Sequence, residues 1–234
     1  MTRTVVRITW NLRFSGRPQT LAQRERPEWY RFRWQLWKEF TEPSLLRQTH
    51  ADFEAWLLCD PALRHLTEWM EGELPDERFR IVYDLHEAAR CVAAAKPERI
   101  VLARIDNDDA YAADALAVYH VAADSLGDRN TIQFAEGWVW DRERGTLYES
   151  ANPSPAFLAM VGDWRMMARG FPALGNHSKA QYTALRVPGH RWLMVAHGNN
   201  VCNRAAGGWV GREVAGAERK SILAEYEIEE PTDG

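Results

Sequence analysis

The sequence predicts an α/β fold, with a parallel sheet built by the first half of the chain and an antiparallel portion supplied by the second. Three observations lead there. Short apolar, β-branched runs alternate with helix-forming runs as far as about residue 124, the pattern of strands joined by right-handed crossovers. After Gly127 the alternation stops, and strand follows strand around the turn-forming segment Asp141 to Gly145. Within the first half, the apolar run Ile100 to Leu102 and Ile105 leads without a break into three carboxylates, Asp106, Asp108 and Asp109. In an open α/β sheet, ligands gather at the carboxyl ends of the strands.

The elements follow in order. Val5 to Phe14, β-branched and aromatic, is the first expected strand, and Ser15 to Pro27, with Gly16, Pro18 and Pro27, is a loop. Tyr30 to Phe40 has helical character, and a second helix is expected near Pro43, since proline suits a first helical position. Phe53 to Cys59 reads as a buried strand, Ala62 to Met70 as a helix, and Phe79 to Tyr83 as a strand. Leu85 to Ala95 is rich in helix formers and stops before Lys96-Pro97. The aspartate strand comes next, followed by a helix over Tyr111 to Ala123. Thr131 to Trp140 and Thr146 to Ser150 form the expected hairpin, Pro153 to Asp163 a short helix, and Gly170 to Lys179 a loop. Two more strands, Tyr182 to Val187 and Trp192 to Ala196, precede His197-Gly-Asn-Asn200, and Glu225 to Gly234 is an acidic tail expected to fray. The 234 residues, 46% hydrophobic and 26% charged, suit one globular domain over 1–234, with halves at 1–125 and 126–225.

Three carboxylates in four positions repel one another. Burial would raise their pKa values unless a cation sat among them. A hard divalent metal meets that need through oxygen ligands, while a solvated Asp-rich turn is the plainer alternative. An imidazole from elsewhere would complete such a site. His197, after an apolar strand and before Gly198, is the best candidate against a structural histidine; His177 and His190 stand in loop-like contexts. Residues 1–40 carry nine Arg or Lys against three Glu, interleaved with aromatics. That segment suits either a polyanion such as DNA or a nucleotide diphosphate, or a helix with a solvated basic face and a buried aromatic one. Eleven tryptophans suggest core filling or ring stacking on sugars or bases. Three widely spaced cysteines indicate neither a disulfide framework nor a zinc site. No apolar run is long enough to span a membrane and no secretory core follows Met1, so a cytoplasmic location is expected.

Several segments together resemble a family. Pro43-Ser-Leu-Leu-Arg-Gln-Thr49, Phe53-Glu-Ala-Trp-Leu-Leu-Cys-Asp60 and Arg104-Ile-Asp-Asn-Asp-Asp-Ala110 are similar to the first helix, second strand and Asp-x-Asp motif of GT-A type glycosyltransferases, family-2-like. With Trp192-Leu-Met-Val-Ala-His-Gly-Asn-Asn-Val-Cys-Asn203, the set resembles more narrowly the putative rhamnosyltransferase family, over about residues 30–205. The resemblance implies a GT-A (Rossmann-like) nucleotide-sugar-binding sheet, with donor binding in the first half and acceptor binding in the second. It implies a nucleotide-diphosphate sugar as donor and Mn2+ or Mg2+ as cofactor. Asp106, Asp108 and His197 would hold the metal, and Gln48, Asp60, Arg104 and Asp106 would contact the donor. Pro61 departs from the usual Asp-Asp-Gly-Ser and puts the Asp60 contact in question. Asp163 is the candidate general base, with Glu136 and Glu149 as rivals. The acceptor would be a glycan, a protein or modified DNA. Two other readings stay open, a nucleotidyl- or phosphoryl-transferring enzyme and a non-catalytic nucleic-acid-binding module. The first lacks the Gly-rich phosphate loop such enzymes carry.

Overall fold

A computed structural model describes residues 1–10, 25–126, 130–152, 156–168, 184–198 and 210–229. The loops expected before residue 25 and over 170–179, together with His177 and the tail beyond 229, lie outside the described residues. Strands β1 (Thr2–Thr9), β2 (Phe53–Leu58), β3 (Phe79–Val82) and β4 (Arg99–Asp106) are parallel, in the order β3-β2-β1-β4. Apolar residues occur on both faces of these strands rather than on one, because both faces are covered. On one face Val6, Ile8, Leu57, Val101 and Ala103 pack in a core with Tyr30, Trp34, Leu116 and Tyr119. On the other, Val5, Trp56, Leu58, Ile100 and Leu102 pack with Ala88, Ala89 and Val92 of helix α3 (Leu85–Ala94). Asp84 caps that helix, its carboxylate accepting from the amides of His86 and Glu87.

The second half extends the same sheet. Strand β9 (Leu158–Gly162) lies antiparallel between β4 and β6 (Asn130–Phe134), and β10 (Ala184–Val187) pairs parallel with β6. The full order is β10-β6-β9-β4-β1-β2-β3, a mixed seven-stranded sheet. The helix expected over Pro153 to Asp163 is therefore a strand in its described part. Ala159 and Met160 favour helix, but Leu158 to Val161 is a short apolar run buried on both sides, and tertiary position overrides propensity.

A second sheet stands beside the carboxyl edge of the first, with strands β12 (Val210–Val214), β8 (Thr146–Ala151), β7 (Glu136–Asp141), β11 (Trp192–Ala196) and β5 (Ala110–Tyr111), in that order. The expected turn does join β7 to β8, with Gly145 at φ +61. The single strand read over Thr131 to Trp140 breaks at Ala135 and serves both sheets. Because Ala110–Tyr111 is a strand, helix α4 starts later than expected, at Ala115, and runs to Asp124. The segment Ala62 to Met70 forms two short 3-10 turns, Pro61–Leu66 and Glu68–Glu73, rather than one helix.

Helix α1 (Pro27–Leu36), a π turn (Trp37–Thr41) and helix α2 (Glu42–Leu46) run on without the break expected at Pro43. Tyr30, Trp34, Trp37 and Phe40 are buried while Arg26 and Arg31 are exposed, so the aromatic stripe of this segment is core. Trp10 meets both Trp34 and Trp37, at ring-centroid distances of 5.6 and 5.9 Å. Helices α5 (Trp164–Ala168) and α6 (Gly216–Glu225) complete the described elements. The latter buries Ile222 and Leu223, and Tyr226 behind it is also buried, so the acidic C-terminal stretch is packed as far as that residue. No described helix is long and apolar enough to cross a membrane.

Within the second sheet Gly137 and Trp192 approach closely, and the same indole reaches across to the first sheet. A Cβ on Gly137 would overlap the indole of Trp192 and come within 2.6 Å of its backbone oxygen. Trp192 in turn donates from Nε1 to Phe134 O at 2.8 Å. Gly137→Ala is expected to lower stability by about 3 kcal/mol, at the upper end of overpacking costs, because backbone rather than a flexible side chain stands in the way. Denaturant unfolding of the variant measures it.

Candidate active site

The site is built where three segments meet at the carboxyl end of β4. Past that strand the chain turns sharply, Asp109 N donating to Asp106 O at 3.3 Å. The π turn brings Thr41 against this turn, and its hydroxyl donates to Asp109 O at 2.7 Å. From the other side Val195 N, on β11, donates to Asp109 Oδ1 at 3.1 Å. The third aspartate is thus a clamp between the turn and the second sheet. Its neighbour Asp108 is buried as well. Asp108 Oδ2 accepts from Arg33 Nη1 at 2.9 Å and lies 2.9 Å from His197 Nε2, the first residue after β11. Arg33 also donates to Asn107 Oδ1, and Phe32 packs edge-on against the His197 ring at 5.5 Å. The Asp108 and His197 side chains are each only 4% exposed.

The electrostatics separate the two buried acids. Burial pushes the Asp108 carboxyl up, but the charge of Arg33 and the hydrogen bond with His197 outweigh it and hold the pKa below the usual carboxylate range. Asp109 goes the other way: burial raises it, and the charges of Asp108 and Asp106 raise it further, well above the usual value. A folded pKa raised in this way contributes stability that is complete below the unfolded value of 3.8 and is lost as pH rises through the folded value. Asp109→Asn, which cannot ionise, is therefore expected to flatten the fall in melting temperature on raising the pH from 4 towards neutrality. Asp109→Ala should cost about 1–3 kcal/mol at any pH, since it removes the buried carboxylate that accepts from Val195 N. Thermal melts across pH on both variants test this.

Asp106 sits at the strand end in register with Thr9 of β1, 28% exposed, and accepts from Arg104 Nη2 at 3.2 Å. Asp60 follows β2 on the same edge, where one carboxylate oxygen accepts from Ala62 N at 3.0 Å and caps the Pro61–Leu66 turn. As for a metal, among the described residues no group of three or more Asp, Glu, His or Cys side chains is arranged to hold an ion. What the site offers is one oxygen and one nitrogen donor, Asp108 and His197, with Asp106 nearby. Donors of these types suit a hard divalent ion, which would have to enter between two atoms that here face each other at 2.9 Å, with Arg33 on the same carboxylate oxygen.

The sequence from residue 17 to 208 matches a described family, and this match covers most of the chain. The chain belongs to the putative rhamnosyl transferase family. No curated protein matches it. Among solved structures it is similar to TarS of S. aureus, at 12% identity and a TM-score of 0.41, over 83% of this chain and 37% of that one. A complex of TarS residues 1–349 with UDP matches at 13% identity and a TM-score of 0.41, over 84% of this chain and 61% of that one. The mannosyltransferase PcManGT from Pyrobaculum calidifontis, in complex with GDP-Man and Mn2+, matches at 14% and 0.41, over 83% and 56%. The chain spans less than two thirds of the length of these structures, and likenesses at this level bear on neither substrate nor residue roles.

In this member of the rhamnosyl transferase family, two expected site residues stand elsewhere. Asp163 follows β9, which is antiparallel to β4 and pairs Gly162 with Ile100, so it lies at the amino end of β4. An eight-residue strand, roughly 25 Å, separates it from the aspartate turn. Its carboxylate accepts locally from Arg165 Nη1 at 2.6 Å, so the structure does not bring it together with Asp108. Gln48 is buried and fully engaged. Its Nε2 donates to Ser44 O and Ala112 O, both at 2.8 Å, and its Oε1 accepts from Leu116 N at 2.9 Å. It fastens α2 to the start of α4 and has no polar atom left for a donor. The rivals Glu136 and Glu149 line a cavity of about 300 Å³ with Ser150 and His190, at the end of the second sheet away from His197. Arg33 was not singled out by sequence. The available signal was its place in the basic aromatic run, one residue from the buried Trp34.

Proposed function

We propose that the chain transfers a glycosyl group from a nucleoside-diphosphate sugar to an acceptor hydroxyl, with a divalent metal held by Asp108 and His197. The meeting of Asp108 with His197 supports this reading most directly. Residues 89 positions apart place a carboxylate oxygen and an imidazole nitrogen 2.9 Å from each other at the carboxyl edge of the sheet, in a chain of a glycosyl-transferring family. When bound, Mn2+ or Mg2+ supplies positive charge to the departing diphosphate.

The chain's own residues do the rest. Arg33 adds a fixed positive charge beside Asp108, and Thr41 and Asp109 hold the turn so that the site is rigid before the donor arrives. Asp106, partly exposed, is available to sugar or ribose hydroxyls, and Asp60 stands on the same edge with one oxygen already used in the helix cap. Glycan, protein and modified DNA remain the acceptor classes, and the burial of the aromatic stripe in α1 removes one support for DNA.

Release of free nucleoside diphosphate from a panel of nucleotide sugars, including rhamnose donors, tests the function. Release is expected with one or a few donors, needs added Mn2+ or Mg2+, and stops with a chelator. Undiminished release after exhaustive chelation and dialysis would remove the metal role. No release from any donor, with salt-sensitive DNA binding instead, would favour the nucleic-acid-binding module.

A further inference from the structure

We propose that Arg33 is the built-in counter-ion of Asp108 and competes with a divalent metal for that carboxylate, so that it limits metal binding instead of assisting it. The inference rests on the proposed function, since it concerns how the same site takes up its ion.

Three polar atoms meet there. Arg33 Nη1 lies 2.9 Å from Asp108 Oδ2 and 3.5 Å from His197 Nε2, and the last two atoms are 2.9 Å apart. Neighbouring ligands at about 2.1 Å from an octahedral ion stand about 3 Å from one another, so oxygen and imidazole are already suitably spaced. The obstacle is charge. An ion bound to Asp108 Oδ2 at about 2.1 Å would lie no further than about 5 Å from the positive Nη1 where it now stands.

The surrounding packing keeps the guanidinium in place. Arg33 belongs to the last turn of α1, and that helix is wedged between two cores, with Tyr30 and Trp34 in one and Leu36 in the other. Arg33 Nη2 donates to Asn107 Oδ1, and the guanidinium carbon stands 5.8 Å from the centre of the Trp29 ring. Asn107, just past β4, is itself buried. Swinging outward to make way for an ion would give up both the asparagine and the ring. An arriving ion therefore takes Asp108 Oδ2 from a neighbour that stays close and repels it. Arg33 does help to keep Asp108 ionised against burial, but a divalent cation on the same oxygen does so with twice the charge. A nucleoside diphosphate changes the balance. Its oxygens ligate the ion and also give Arg33 a new acceptor of the kind a guanidinium fork fits. Metal and diphosphate then tighten one another by the same factor.

The test reads binding, not transfer. Mn2+ alone is titrated against the full wild-type chain and Arg33→Gln by calorimetry, and melting temperature is followed in parallel. Arg33→Gln is expected to bind Mn2+ about 10-fold tighter or more, the effect of losing a like charge at about 5 Å even under water-like screening. Without metal this variant should melt below the wild type, because Asp108 loses a buried partner, and Mn2+ should raise its melting temperature by more. Arg33→Lys, whose single ammonium cannot hold Asn107 and Asp108 in a fork, should bind Mn2+ with an affinity between the two. Adding Asp108→Asn to Arg33→Gln should abolish the gain. With UDP, GDP or dTDP present, wild-type Mn2+ affinity should rise by a larger factor than that of Arg33→Gln; complexes of Mn2+ with free nucleotide are common to both titrations and cancel in the comparison. Mn2+ affinity in Arg33→Gln equal to or weaker than that of the wild type overturns the competition and makes Arg33 a plain support of Asp108. Should Arg33→Gln fail to fold without metal, Arg33→Lys carries the same comparison, tighter binding supporting the competition and equal or weaker binding overturning it. No Mn2+ binding by the wild type or either variant removes the metal from the proposed function, and the competition with it. Tighter Mn2+ binding in Arg33→Gln with no response to any of the three nucleotides counts against the nucleotide donor and leaves the competition standing.

Discussion

Asp108→Asn is expected to leave the chain folded and to slow donor turnover by about 100- to 1000-fold, the usual loss when one preorganised electrostatic partner of a departing anion is removed. Asparagine keeps the shape and an acceptor oxygen for Arg33, but it removes the charge that would hold a metal. Two stability terms oppose each other. Arg33, with a side chain 13% exposed, loses its charged partner, which destabilises. Asp109 and Asp106 lose a repelling neighbour, which stabilises, since the Asp108 charge is the second largest cause of the raised Asp109 pKa. The net shift in melting temperature should therefore be small beside the loss of rate. Asp106→Asn, at a position 28% exposed and held only by Arg104 among the described contacts, should be milder in a side-by-side release assay. A folded Asp108→Asn protein turning over within about threefold of wild type would take Asp108 out of the metal role.

Much of the sheet was legible in the sequence because its strands are short apolar runs punctuated by helix-forming stretches. β2, β3, β4 and β11 lie within a residue or two of their expected bounds. The failures have identifiable causes. β9 was read as helix because a strand buried on both faces lacks polar alternation, and Ala159 and Met160 carry helical propensity. β5 was absorbed into α4 because two residues give no periodicity, and it is a strand only through its pairing with Trp192 and Leu193. The same holds for the site. Asp106 and Asp108 were visible because a charge cluster ending an apolar strand conflicts with burial, and His197 was visible for a similar reason. Arg33 was hidden because its partner lies 75 residues away, and one arginine in a basic helix looks like any other. Asp163 misled because "acid after a strand" carries no information on strand direction. β9 runs antiparallel and delivers that acid to the wrong edge.

His197→Ala tests the contact between the residue that follows β11 and Asp108 of the aspartate turn. If the imidazole is a metal ligand, truncation should weaken Mn2+ affinity by about 10- to 100-fold and slow turnover with it. If it is only a buried partner of Asp108, the same change should lower stability by about 1–3 kcal/mol and leave Mn2+ affinity alone. The first outcome is the expected one. His197 stands at the very end of β11, while the register of that strand is fixed independently by Leu193 against Ala110 and Trp138 and by Val195 N on Asp109. Its loss therefore removes the imidazole from Asp108 without loosening the clamp. Asp108 would also keep Arg33 as its charged neighbour, which limits the cost of leaving a buried carboxylate unpaired. Mn2+ titration and thermal unfolding measured on the same variant separate the cases. A large drop in melting temperature with wild-type Mn2+ binding would make His197 a structural histidine and leave Asp108 to hold the ion without it.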